Sequence, residues 1–255
     1  MSSTINFQKS GDKTTAKNDF KCAGSGTICE GEYGKINTAG SCRIIGNINC
    51  EEIKTAGSCH AKGKIICAGL IGTAGSFHAD EYVEAEEIKT AGSAHFNKNV
   101  KAKCFKTAGS THIDGSIKAD TIKAGGSFVC GGDCEAEDIE IYNPEVRGTV
   151  NGENVDIRIS GGNAHIGTIV GGSVTVDIRI EGHIVSSFFS KKQSHYGSLT
   201  TESIEADEVR IAYTKVNRVT CRKAEIAPGC EIDLLEYSES AEISPDAFVM
   251  NVHKI

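Results

Sequence analysis

The chain has 255 residues with 27 Lys and Arg against 34 Asp and Glu, a formal charge of −7 that lacks the basic excess of a general nucleic-acid binder. Its 39% apolar content, 6% aromatic content, absent Trp, 3 Pro and 29 Gly argue against a large aromatic-rich globular core. No apolar run exceeds four residues (Ile65 to Ala68, Ala247 to Met250), so no segment approaches the roughly 20 residues that cross a bilayer.

In chain order, residues 1–21 read as a disordered polar tail without the apolar stretch of a secretory signal, and a cytoplasmic location is expected. A Gly-Ser step then recurs at Ser25, Ser41, Ser58, Ser76, Ser93, Ser110 and Ser127, at spacings of 16, 17, 18, 17, 17 and 17. Three consecutive turns read SFHADEYVEAEEIKTAG (76–92), SAHFNKNVKAKCFKTAG (93–109) and STHIDGSIKADTIKAGG (110–126). Counted from each Ser, the fourth place holds Ile44, Ala61, Ala79, Phe96, Ile113 and Cys130, and the eighth holds Ile48, Ile65, Val83, Val100, Ile117 and Cys134. The tenth holds Cys50, Cys67, Ala85, Ala102, Ala119 and Ala136, and the thirteenth holds Ile53, Ile71, Ile88, Phe105, Ile122 and Ile139.

Apolar and polar residues alternate between these places, as half-buried strands require. A unit of about 17 residues is too short for a βαβ crossover and carries no helical stripe. The expected fold is therefore all-β, a parallel β-helix of about 17 residues per coil, with about three short strands per coil and glycine corners. The left-handed hexapeptide β-helix competes, but its six-residue sub-period is missing, which favours the right-handed form. Residues 22–141 form the regular part, and 142–184 continue it less regularly. Residues 185–198 break the alternation as an irregular loop, and 199–255 supply C-terminal coils and a cap. Roughly 13 coils at this repeat would give a rod near 60 Å long.

Eleven Cys, an odd number in a long chain without an export signal and without a CxxC, read as reduced, buryable small residues rather than a disulfide or zinc framework. His60, His78, His95 and His112 follow Arg43 at the third place and form an outward ladder, read as an exposed side chain repeated by duplication with no metal expected, the alternative being a metal or small-ligand module. Lys54, Lys89, Lys106 and Lys123 form another outward ladder, flanked by Glu51, Glu52, Glu86, Glu87, Asp120, Glu137 and Asp138. Such carboxylates would suit a β-helix polysaccharide hydrolase or lyase. No GxGxxG, P-loop, GxSxG or HExxH is present, so no enzyme activity and no cofactor are expected.

The AGS-cornered turns with IKxAGS between them, over residues 25–127, resemble the bactofilins, polymer-forming bacterial cytoskeletal proteins. The resemblance implies a right-handed β-helix that assembles without nucleotide into filaments, acting as a scaffold for cell shape, envelope or motility proteins. The usual family core is about half this length, and Ile5 and Phe7 stand alone in the polar tail, so membrane association is not expected. Self-association is expected at the coil ends. At one end Ile28 and Cys29 lie on an edge with no apolar cover upstream; at the other, Phe248, Val249, Met250 and Val252 either fold back as a cap or meet a neighbour.

Overall fold

The computed structural model describes residues 17–178 and 197–255, and the expected loop at 185–198 falls mostly outside them. The described chain is all-β, 75% strand with no helix, its parallel strands stacked as a β-solenoid of about 13 turns roughly 17 residues apart. No helix among the described residues is long and apolar enough to cross a membrane. Contacts divide the chain into two compact units, residues 1–120 and 121–255.

In the first unit the pairing register is the sequence repeat itself. Ser25 pairs with Ser41, Ser41 with Ser58, Ser58 with Ser76, Ser76 with Ser93 and Ser93 with Ser110. Each coil opens with a four-residue strand such as Ser76–Ala79 or Ser93–Phe96. The second and third strands of a coil are separate at Ile48–Cys50 and Glu52–Thr55 but merge into one at Val83–Thr90 and Val100–Ala108. The one 18-residue turn is accommodated locally. Ala85 pairs with Cys67 while Glu87 pairs with Leu70, so the extra residue bulges out near Ala68 and the register recovers at once.

The fourth, eighth and thirteenth places are buried in every turn from Ile44 to Ile139. The tenth is buried at Cys50, Cys67, Ala85, Ala102 and Ala136, with Ala119 half-buried. Two further inward columns carry no uniform apolar signature in the sequence. The second place holds Cys42, Cys59, Phe77, Ala94, Thr111 and Phe128, all buried. Two residues beyond the thirteenth place stand Thr55, Thr73, Thr90 and Thr107, also buried. In-register pairing stacks these threonines on one another, and their hydroxyls find no hydrogen-bond partner. The β-branched methyl fills the core while the hydroxyl is carried along unpaired.

The corner glycines answer to space rather than to backbone angle. Gly40, Gly57, Gly75, Gly92 and Gly109 are not among the positive-φ residues. A Cβ on Gly92 would stand 2.2 Å from the carbonyl oxygen of Gly75 one coil earlier, and the same clash, at 2.2–2.4 Å, recurs at the other four. These corners are places of close backbone stacking, which only a residue without a side chain permits.

In the second unit the strands lengthen: Pro144–Ile159, Asn163–Ile178, Ser198–Ile211, Thr214–Ile226 and Glu231–Ile243 pair in parallel succession. Ser198, expected in the irregular loop, already pairs with Asn163, so the coil resumes in register after the segment outside the described residues. At the other boundary the polar tail is shorter than expected, because Asn18–Cys22 is a strand paired with Gly31–Thr38 and buries Phe20.

No disulfide links the eleven cysteines, and eight of them are buried. Hydrogen bonding to Cys67, then burial, pushes the Cys50 thiol up. Burial alone raises Cys221 to about 11. The thiolate is the reactive form and must also be reached, so native protein treated with a maleimide should label the exposed Cys29 rapidly and spare Cys50 and Cys221, whose thiols are both raised and buried, and Cys67, whose thiol is lowered by its hydrogen bond with Cys50 but is shielded by burial, until denaturant is added; fast native labelling of Cys50 would contradict the assigned register. Gly92→Ala should cost about 1–3 kcal/mol through overpacking. Gly24→Ala, where a Cβ meets nothing within 4 Å, should be nearly neutral, and chemical denaturation compares the two. Thr90→Val should raise stability by about 1 kcal/mol, because an unpaired buried hydroxyl gives way to a methyl of the same shape.

Candidate functional site

Two places carry groups that the core does not use: the terminal coil and the histidine ladder. The second unit's inward columns run through its strand pairings to the last strand, Phe248–Lys254. One runs Val146, Ile166, Thr201, Val216, Ile232 and Val249; the next runs Val150, Ile169, Ile204, Val219, Leu235 and Val252. Ile232 and Leu235 are buried, but Val249 is only half-buried and Val252 is 44% exposed, since no described residue stacks on them. A third column ends at Ile243, which pairs with Ile226 and is also exposed.

Phe248 and Met250 lie beside this surface, each 61% exposed, and Phe248 pairs in register with the outward Glu231. Of the two alternatives raised by the sequence, these residues do not fold back as a cap. They form the strand of the last coil, with Val249 and Val252 as column ends and Phe248 and Met250 on its flank.

The N-terminal candidate differs from expectation. Ile28 is 1% exposed: it occupies the fourth place and pairs with Ile44. Upstream cover exists, because Phe20 and Cys22 pack against Gly26, where an added Cβ would meet Cys22 Sγ at 2.9 Å and Phe20 Cζ at 3.2 Å. Cys29 is exposed, and its carbonyl accepts a hydrogen bond from Tyr33 Oη at 2.9 Å. An uncovered Ile28 edge is therefore not a feature of this end.

The histidine ladder is built by the first unit's strand pairing, which sets Arg43 beside His60, His60 beside His78, His78 beside His95 and His95 beside His112. Ring centroids lie 4.7, 4.9 and 4.7 Å apart along the four histidines. The sequence reading missed the carboxylates that join them. Asp80 Oδ1 lies 3.0 Å from His60 Nε2 and 2.8 Å from His78 Nε2, and Asp114 Oδ1 lies 3.3 Å from His95 Nε2 and 2.8 Å from His112 Nε2. The signal is present as His-x-Asp at 78–80 and 112–114, with the second imidazole of each pair a coil earlier.

The hydrogen bond from His60, reinforced by the nearby imidazoles, holds the Asp80 carboxyl below the usual carboxylate range against a small burial effect. The groove alongside His60 and His78 is lined by Ser41, Ser58, Ser76 and Arg43.

The outward lysines stand among exposed ion pairs, Lys54 with Glu52 and Lys89 with Glu87, and such pairs contribute little to stability.

No family model and no solved structure matches the chain. Among curated proteins it is similar to the uncharacterized protein YhbF of Bacillus subtilis (strain 168), 30% identical over 108 residues. That match covers 42% of this chain and 42% of the relative, so the similarity spans less than half the length of either.

Proposed function

We propose that this protein is a non-enzymatic structural scaffold that self-assembles without nucleotide, using the open terminal coil of its solenoid as the joining surface for a second copy. One observation carries this reading: apolar columns buried through the preceding coils reach the strand Phe248–Lys254 and are exposed there at Val252, with Phe248 and Met250 beside them. A strand edge of this kind combines unpaired backbone groups with an apolar rim, and both are satisfied when another strand adds to it.

The bactofilin-like repeat of residues 25–127 supports the same reading, and with it a place among cytoplasmic scaffolds that serve envelope, shape or motility proteins. The reading as a polysaccharide hydrolase or lyase draws no comparable support. Glu52, Glu86 and Glu87, among the acids flanking the lysine ladder, stand in ion pairs with Lys54, Lys103 and Lys89, and the chain has no Trp to form a sugar-stacking platform.

Phe248→Arg combined with Met250→Arg places two charges on this surface beside the column ends and leaves Val249 and Val252 in place. Light scattering of purified protein should show concentration-dependent assembly in the parent, and negative-stain images should show filaments or joined rods. The double variant should keep its far-ultraviolet β signal yet stay small. A parent that remains monomeric at every concentration, or a folded variant that assembles as the parent does, would refute the proposal.

A further inference from the structure

The fifth place of successive coils reads Lys62, Asp80, Asn97, Asp114. The third-place histidine is repeated in all four of these coils, whereas the carboxylate comes only in every second one. Repetition of a single unit would give the same residue each time; alternation instead gives each carboxylate two imidazoles to serve. The ladder is thereby partitioned into two like triads, His60–His78–Asp80 and His95–His112–Asp114, in each of which the three ligand atoms lie within 4.8 Å of one another.

We propose that each triad is a binding site for a divalent first-row transition-metal ion of the Zn²⁺ class, two per chain, clamping adjacent coils together. Ligand atoms held about 2.0–2.1 Å from one ion, at tetrahedral to octahedral angles, stand about 2.9–3.4 Å apart. The imidazole-to-carboxylate distances here are 2.8–3.3 Å, already at that spacing, while the ligand atoms of each triad as a whole lie within 4.8 Å, so a rotation of the part-exposed imidazoles toward one another would complete the site as an ion replaces the shared proton of each His–Asp contact.

The donor set decides the class of ion. Two nitrogens and one carboxylate oxygen suit Zn²⁺, Ni²⁺, Co²⁺ or Cu²⁺, whereas Ca²⁺ and Mg²⁺ call for oxygen ligands throughout. The backbone is already arranged for the task. His60 comes from the strand Ser58–Ala61 and His78 from Ser76–Ala79, while His95 and His112 come from Ser93–Phe96 and Ser110–Ile113, all held in register by buried neighbours on both sides.

Asp80 keeps one further contact, accepting a hydrogen bond from Asn97 Nδ2 at 3.4 Å. That contact orients the carboxylate from the next coil, as outer partners do at metal centres. The triads are part-exposed, which leaves coordination positions for water. Each ion would draw ligands from two coils, so binding would add to the stability of the stack. This inference does not depend on the assembly reading, since all six ligands lie far in sequence from Phe248–Lys254.

The full-length protein, stripped with a chelator, is titrated with Co²⁺ and then with Zn²⁺ as competitor. Visible d–d bands are expected to saturate at two Co²⁺ per chain without the near-ultraviolet charge-transfer band of thiolate ligation, which separates these sites from the exposed Cys29. Asp80→Asn should halve the uptake and Asp80→Asn with Asp114→Asn should abolish it. Zn²⁺ should raise the melting temperature of the parent and leave that of the double variant unchanged.

Should the variants fold poorly, Co²⁺ added to the parent must shift or broaden the Hε1 resonances of these four histidines ahead of those of the other four in the chain. Equal uptake by parent and folded double variant, uptake carrying the thiolate band alone, or undisturbed ladder resonances at saturating Co²⁺ would each overturn the proposal.

Discussion

The constraint on which everything else depends is in-register parallel stacking: each residue sits on its counterpart one coil away, about 4.8 Å distant. An inward residue is then covered above and below by its own column, and the core becomes a bundle of ladders rather than a centre. This explains how a chain without Trp and with modest apolar content buries Ile, Val, Phe and Cys almost completely. It also explains the corner glycines, which stack so closely that a methyl group would strike the carbonyl of the coil before.

The same constraint generates the two candidate sites. A column can be covered only if another coil follows. Where the described coils end, at Val249 and Val252, members of two columns that are buried through the preceding coils are left half-buried and exposed. On the outside, stacking acts on polar side chains as it does on the core. Four histidines one repeat apart, 60, 78, 95 and 112, are set ring against ring, and the alternating Asp80 and Asp114 link them in pairs.

Much of the fold was legible because the repeat is a direct record of the register. The Ser-to-Ser spacing is the pairing of Ser58 with Ser76 and of Ser76 with Ser93, and the places occupied by Ile53, Ile71 and Ile88 announce a buried column by residue type alone. The second place hid its burial because Cys42, Phe77, Ala94 and Thr111 share no chemical character, and the Thr55 to Thr107 column hid because threonine also suits exposed strands. The covered state of this end was not legible because Phe20 and Cys22, which pair with Ile36 and Thr38 as a partial earlier coil and pack against Gly26, lie in a segment too short and polar to show the repeat. The carboxylates of the ladder were overlooked for a related reason: Asp80 meets His60 across 20 residues, a distance that is neither a local motif nor one full repeat.

The central proposal is that the exposed apolar face of Phe248–Lys254 is where a second copy joins. Amide hydrogen exchange over Phe248–Lys254, followed as protein concentration is raised, tests it most directly. The account predicts that the outward-facing amides of this strand exchange freely in dilute solution and become protected as concentration rises, while amides of the interior strand Thr214–Ile226 stay protected throughout. Exchange over Phe248–Lys254 that is independent of concentration would contradict it.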